Sequence, residues 1–204
     1  MTKLHAELVP RPPFVELPFT PSSEAGVIGQ DRDGTGIASV LVRRGGAAAL
    51  THQIKERFGI ELAAGSRRSA SGNIAFIATG PGSWFATSEG AGNAFVVSLA
   101  QALGDCASIA DQSDGQAVLR LSGPKVRDTL CKLVPVDLHP RAFAVGDVAV
   151  TVAAHMGATL WRLKDEPSGH PVFEVAVYRS LAESFWSALM ASAAEFGFKM
   201  SEHI

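Results

Sequence analysis

An α+β fold built from two similar halves is predicted by three features of this sequence. Strand-like and helix-like stretches alternate from residue 37 onward. A strand, a glycine and a helix start occur together twice, as Val40-Leu41-Val42-Arg43-Arg44-Gly45-Gly46 and as Val118-Leu119-Arg120-Leu121-Ser122-Gly123-Pro124. Each occurrence leads through further strands to an amphipathic helix. The offset of about 76–80 residues is too long for a solenoid period and fits two homologous halves of β-α-β-β-α order. Neither half has material for a full core, so the two are expected to share one sheet system with helices on one side.

The first 36 residues stand apart. Pro10, Pro12, Pro13, Pro18 and Pro21 block helix, and Gly26, Gly29, Gly34 and Gly36 add backbone freedom. They read as an extended arm lying on this chain or on another, with Phe14, Val15 and Leu17 to bury. Residues 37–204 then read as one duplicated domain, with halves at about 37–104 and 117–197.

In the first half Ile37 to Val42 is a strand ending at Gly45-Gly46. Leu50, Ile54 and Phe58 recur every four residues on one helical face, which Gly59 stops. Asn73–Ala78 and Ser83–Thr87 are strands around the turn Gly80-Pro81-Gly82, and Phe95, Leu99 and Leu103 mark a second helix ended by Gly104. In the second half Ala117–Ser122 is a strand, and Gly123-Pro124 opens a helix with proline at its first position. Val126, Leu130 and Leu133 form its apolar face. Val148–Val152, Thr159–Leu163 and Val172–Val177 are strands, with Glu174 as the outward residue of the last. Ser180 and Glu183 have the spacing of a capping box before a helix that buries Leu181, Phe185 and Leu189. Trp186 is adjacent to Phe185 and so points about 100° away, outward or toward a partner.

Composition narrows the function. Apolar residues make up 47% of the 204 and charged residues 19%, which is ample for a core. A net charge of −2 without a basic run argues against nucleic-acid binding. Cys106 and Cys131 lie in apolar surroundings and read as buried thiols of a reducing compartment. No apolar run approaches the roughly 20 residues of a spanning helix, and residues 1–13 lack the apolar stretch of a signal peptide. The expected location is the cytoplasm.

Recognisable catalytic signatures are sparse. Neither G-x-S-x-G nor H-E-x-x-H occurs, and there is no phosphate loop. Gly80-Pro81-Gly82 joins two strands and lacks the third glycine of a dinucleotide turn. His5, His52, His139, His155, His170 and His203 are scattered, without ligand spacing. His155 and Met156 follow a strand and read as surface or core residues, or as the lining of a pocket. Arg67 and Arg68 flank a Ser/Gly-rich link that reads as a solvated loop; the other reading is that they meet an anion or a partner's acid. Gly45-Gly46 is explained by tight strand-to-helix geometry and equally by free N–H groups facing an anion. Trp84, Phe85 and Trp161 are strand aromatics of the core or of a subunit contact. No catalytic, cofactor-binding or metal residue is assigned.

Several segments resemble a known family. Leu119-Arg120-Leu121-Ser122-Gly123-Pro124, Val172-Phe173-Glu174-Val175 and Phe185-Trp186-Ser187-Ala188-Leu189 are similar to the second half of the folate-binding domain of aminomethyltransferases of the glycine cleavage system. With the proline-rich lead, Thr79-Gly80-Pro81-Gly82-Ser83-Trp84 and Asp111-Gln112-Ser113, the chain more closely resembles the gamma subunits of heterotetrameric sarcosine oxidases, over about residues 25–200. That resemblance implies an accessory subunit, inactive alone. Its complex oxidises sarcosine to glycine and hydrogen peroxide and passes a one-carbon unit to tetrahydrofolate or releases formaldehyde. The implied partners are large alpha and beta subunits and a small delta subunit, which hold FAD, FMN, NAD and tetrahydrofolate. The sequence departs from the aminomethyltransferases at their acidic pair, where Gly72 to Ala78 is apolar, and at their Gly-Glu-Asp-Gly loop, replaced by Lys164 to His170. The alternatives are a free-standing folate-dependent relative of those enzymes and a folate-binding regulatory module.

Overall fold

The computed structural model describes residues 11–14 and 17–201. Five strands form the first sheet: β2 (Gly36–Val42), β3 (Arg68–Ser71), β4 (Ile74–Gly80), β5 (Ser83–Ser88) and β6 (Ala107–Asp111). Helix α1 (Ala47–Phe58) follows β2, and α2 (Gly92–Leu103) joins β5 to β6. Six strands form the second: β1 (Val27–Asp31), β7 (Gln116–Ser122), β8 (Val148–Ala153), β9 (Met156–Leu163), β10 (Val172–Tyr178) and β11 (Phe198–Met200). Helix α3 (Val126–Leu130) follows β7, and α4 (Ala182–Ala193) joins β10 to β11.

The strand orders are β3-β4-β5-β2-β6 and β8-β9-β10-β7-β1-β11. They are the same order, with β1 inserted between β7 and β11. Directions agree as well. β6 runs antiparallel to β2; β11 is parallel to β1, which is antiparallel to β7. Each half is therefore β-α-β-β-β-α-β. The first half has one strand, β3, beyond those read from its sequence, and each half adds a return strand after its second helix.

The single shared sheet expected from sequence is not formed. There are two sheets, packed face to face, with helices on both outer sides. The alternation along β7 shows why. Ala117, Leu119 and Leu121 pack with Phe185, Leu189 and Leu130 on the helix side, while Val118 packs on the inner side with Ile37, Ile77, Trp161 and Ala176. A strand apolar on both faces must be covered on both. The equivalent edge strands β3 and β8 meet, where Val148 N donates to Ser66 O at 2.9 Å and Arg68 N to Gly146 O at 2.7 Å. The edges that would otherwise stay open thus close each other.

The residues read as an arm do several things. Residues 27–31 are strand β1, and β2 starts at Gly36. Earlier residues cross α4. Phe14 is fully buried, and its N–H donates to Asp31 Oδ2 at 3.0 Å. Phe14 and Phe19 pack on Trp186, whose Nε1 donates to Pro18 O at 3.0 Å. Trp186 thus points neither to solvent nor to a partner; it is 2% exposed, and Phe198 covers another side. Val15, residues 1–10 and His203 lie outside the described residues.

Local signals fared unevenly. Gly59 ends α1 in the left-handed conformation, at φ 65°. The capping box is not formed: Arg179–Leu181 is a 3-10 turn, Leu181 precedes the first residue of α4, and no side chain caps it. Pro124 lies ahead of α3 and not at its first position. Gly123 is required twice over, by φ 112° and by the approach of Gly26 O, which a Cβ would meet at 2.5 Å. Of the two cysteines, Cys106 is buried but Cys131 is exposed, and both are free thiols. Among the described residues no helix is long and apolar enough to cross a membrane.

The β8–β9 hairpin turns through Ala154 and His155, both at positive φ (46° and 72°). A two-residue hairpin loop favours that geometry, but side chains resist it. Replacing His155 by glycine is expected to raise stability by about 1 kcal/mol, as a higher denaturant midpoint at unchanged slope.

Candidate functional site

A row of residues on the inner face of the second sheet builds the site. Gln30 on β1 pairs in register with Arg120 on β7, Arg120 with Glu174 on β10, and Glu174 with Trp161 on β9. Side chains on directly opposed residues of one face touch. Glu174 is 7% exposed and both of its carboxylate oxygens accept hydrogen bonds. Oε2 accepts from Trp161 Nε1 at 2.7 Å, and Oε1 accepts from Arg120 Nε at 2.9 Å. Arg120 Nη2 lies 2.8 Å and Arg32 Nε 3.5 Å from the same Oε1. The sequence reading of Glu174 as an outward strand residue is therefore overturned: it faces the other sheet.

The first sheet supplies the opposing residues. Glu89, just past β5, meets Arg32 at 2.6 Å and Arg120 at 3.0 Å. Arg68 on β3 lines the same cleft, with Thr35, Asn73, Thr87 and Val118, around a volume of about 90 Å³. Arg68 Nε is buried and has no hydrogen-bond partner among the described residues. Burial pulls the Arg68 guanidinium below its usual pKa, and Arg120 adds to this against the opposing pull of Glu174 and Glu89. For Glu89 burial alone acts upward, but the hydrogen bonds and charges of Arg32 and Arg120 outweigh it and hold the carboxyl below the usual glutamate range.

That direction fixes a pH dependence. A carboxyl whose pKa is lower in the folded state gives stability that is present above its unfolded pKa and lost as pH falls through the folded value. Unfolding titrations should therefore show stability dropping below about pH 4, and Glu89→Gln should flatten that drop. Glu89 is half exposed, so the effect is modest.

Other residues weighed from sequence fall elsewhere. Arg67 is paired with Asp147 at the junction of the two sheets, so the solvated-loop reading of Arg67-Arg68 does not hold: Arg68 begins β3. His155 is exposed at a hairpin tip. Gly46 is explained by close packing, since a Cβ there would meet Cys106 O at 2.7 Å. Pro81 and Gly82 (φ 69°) form the β4–β5 turn, closed by the Thr79–Ser83 hydroxyl pair at 2.8 Å. Ser113 Oγ accepts from Ile37 N at 3.0 Å where the chain passes from one sheet to the other. Among the described residues no group of three or more His, Cys, Asp or Glu side chains is placed to hold a metal.

The site was missed because Arg120 and Glu174 each look like a solvent-facing residue. The overlooked signal is the rest of each strand. Ala117-Val118-Leu119 and Val175-Ala176-Val177 are apolar on both faces, so a charge among them must be paired inside.

Comparison with known proteins places this arrangement. A model of the sarcosine oxidase, gamma subunit family matches residues 44–195. Sarcosine oxidase subunit gamma from Arthrobacter sp is 36% identical over 109 residues, 53% of this chain and 53% of that one. The protein of the same name from Corynebacterium sp. (strain P-1) is 42% identical over 69 residues, 33% of this chain and 34% of its own. The chain thus spans about half or less of the length of these relatives. A chain of the heterotetrameric sarcosine oxidase from Corynebacterium sp. U-96, in complex with pyrrole 2-carboxylate, has the same fold at a TM-score of 0.73 and 25% identity, with 90% of both chains covered. The glycine cleavage system aminomethyltransferase T from Bartonella henselae shares the fold at a TM-score of 0.62 and 13% identity, over 87% of this chain and 48% of that one. With three quarters of its length matched by the family model, the chain belongs to the sarcosine oxidase gamma subunit family.

Proposed function

We propose that this chain is the accessory, non-catalytic gamma subunit of a heterotetrameric sarcosine oxidase that converts sarcosine to glycine and hydrogen peroxide, with the one-carbon unit going to tetrahydrofolate or leaving as formaldehyde. FAD, FMN, NAD and tetrahydrofolate belong to the partner subunits, in the cytoplasm. The repeated strand order reads as a duplicated aminomethyltransferase-type fold kept without that family's chemistry. The observation that carries this reading is the state of Glu174. Its two oxygens already accept from Trp161 and from Arg120, with Arg32 beside them, and the residue is 7% exposed, so a folate ring would have to displace these partners to reach it. The stretch that replaces the family's acidic pair is core: Ala75, Phe76 and Ile77 are at most 1% exposed. The fold persists while the site residues do not, and fold alone does not carry function.

Calorimetric titration of the purified chain with tetrahydrofolate, FAD and FMN tests this. No saturable binding is expected at low micromolar concentration. One-to-one binding in that range would return the chain to the folate-dependent enzymes.

An accessory subunit also needs a contact surface. Val150, Val152 and Tyr178 stand 61%, 44% and 58% exposed on the inner face of the second sheet, where the first sheet does not reach. Exposed apolar groups of this kind mark protein contacts. Val150→Asp should leave the unfolding midpoint of the isolated chain nearly unchanged and weaken its co-purification with the large subunits about tenfold or more.

A further inference from the structure

The charge cluster between the sheets is not balanced. Arg32 and Arg120 are paired with Glu89 and Glu174. Arg68 enters the same cleft from the other sheet, and no carboxylate among the described residues lies within ion-pair distance of it. Its Nε is buried without a hydrogen bond to any described residue. Three guanidinium groups against two carboxylates leave one positive charge unmatched, in surroundings that penalise it. A buried donor without a partner costs free energy, and a charged one costs more. An anion in the cleft would satisfy both the charge and the donor.

We propose that this cleft binds the carboxylate of a small organic acid, with Arg68 as the pairing group. The guanidinium presents donors in a planar fork that matches a carboxylate. Thr35 and Thr87, which also line the cleft, offer hydroxyl groups. Size and charge both limit the ligand. The space of about 90 Å³ admits a carboxylate with one to three carbons and excludes a pterin or a nucleotide. A phosphate dianion would bring two charges against one unmatched guanidinium while facing Glu89 and Glu174. A monocarboxylate brings the cluster to neutrality. Trp161 and Val118 form the apolar floor against which its carbon atoms rest. Every residue that lines the cleft belongs to this chain.

The test is a titration of the full-length, 15N-labelled chain with sodium acetate at constant ionic strength. Arginine Nε–Hε resonances are followed, and that of Arg68 is identified by its loss in Arg68→Lys. Sodium chloride and sodium phosphate serve as parallel titrants. The expected result is a saturable shift of the Arg68 signal with acetate, half-complete at about millimolar concentration. Chloride and phosphate should act at least about tenfold more weakly. Acetate should also raise the unfolding temperature of the unmutated chain, as a ligand of the native state must, and Arg68→Lys should abolish that rise. If Arg68→Lys does not fold, Thr87→Val supplies the second variant and should weaken acetate binding about threefold or more. An Arg68 resonance unmoved by acetate, or moved equally by chloride, overturns the proposal.

Discussion

Replacing Trp186 by alanine should destabilise the chain by about 3–5 kcal/mol, the range for emptying a buried large aromatic site. The loss has several sources. Trp186 is 2% exposed, stacks on Phe14 with centroids 6.0 Å apart and meets Phe19 and Phe198 edge to face. Its indole N–H is also the hydrogen bond that pins Pro18. Without it the segment before β1 has lost its anchor, so residues 17–24 should become the first site of protease cleavage. Trp186→Phe keeps most of the packing and loses the hydrogen bond, and should cost about 1–2 kcal/mol. A loss below about 1 kcal/mol for the alanine variant would mean that the N-terminal segment contributes little to the fold.

Glu174→Ala is the second change with a large expected effect. Removing one partner of a buried ion pair costs about 3–5 kcal/mol, because the remaining charges stay buried. Here Arg120 and Arg32 would both lose a carboxylate, and Trp161 Nε1 its acceptor. Glu174→Gln preserves volume yet sets an amide N–H₂ against donors, and should still cost about 2 kcal/mol. The double variant Glu174→Ala with Arg120→Ala should fall well short of the sum of the single losses, since the two residues share one network. Additive losses in chemical denaturation would show that the cluster is solvated in solution.

The strands that could be read in the sequence are those with a period of two or a continuous apolar run: β2, β4, β5, β7, β8, β9 and β10. The missed ones each lack that signal. β3 is Arg68-Ser69-Ala70-Ser71, a polar edge strand with no β-branched residue; β6 is Ala107-Ser108-Ile109-Ala110-Asp111, with one β-branched residue; and β11 is only three residues long. β1 holds Gly29 within a stretch whose prolines and glycines read as arm, and its strand character comes from the neighbours β7 and β11. The two-sheet layering was contained in the double-faced apolar strands, but the charges of Arg120 and Glu174 hid it. Trp186 illustrates a different limit. Its angle of about 100° to Phe185 says only that the two side chains leave the helix in different directions, and the partner that buries it lies 172 residues away in sequence, at Phe14. Nothing local encodes that contact.

Co-purification with the large subunits bears most directly on the proposed role. The four subunits would be expressed together, with and without this chain, and sarcosine-dependent peroxide formation measured per assembled flavin. A scaffold role predicts that the chain elutes in a stoichiometric complex, and that omitting it lowers the yield of complex far more than the turnover per flavin. The account is contradicted if the other subunits assemble in full yield without the chain, or if its omission leaves assembly intact and abolishes turnover.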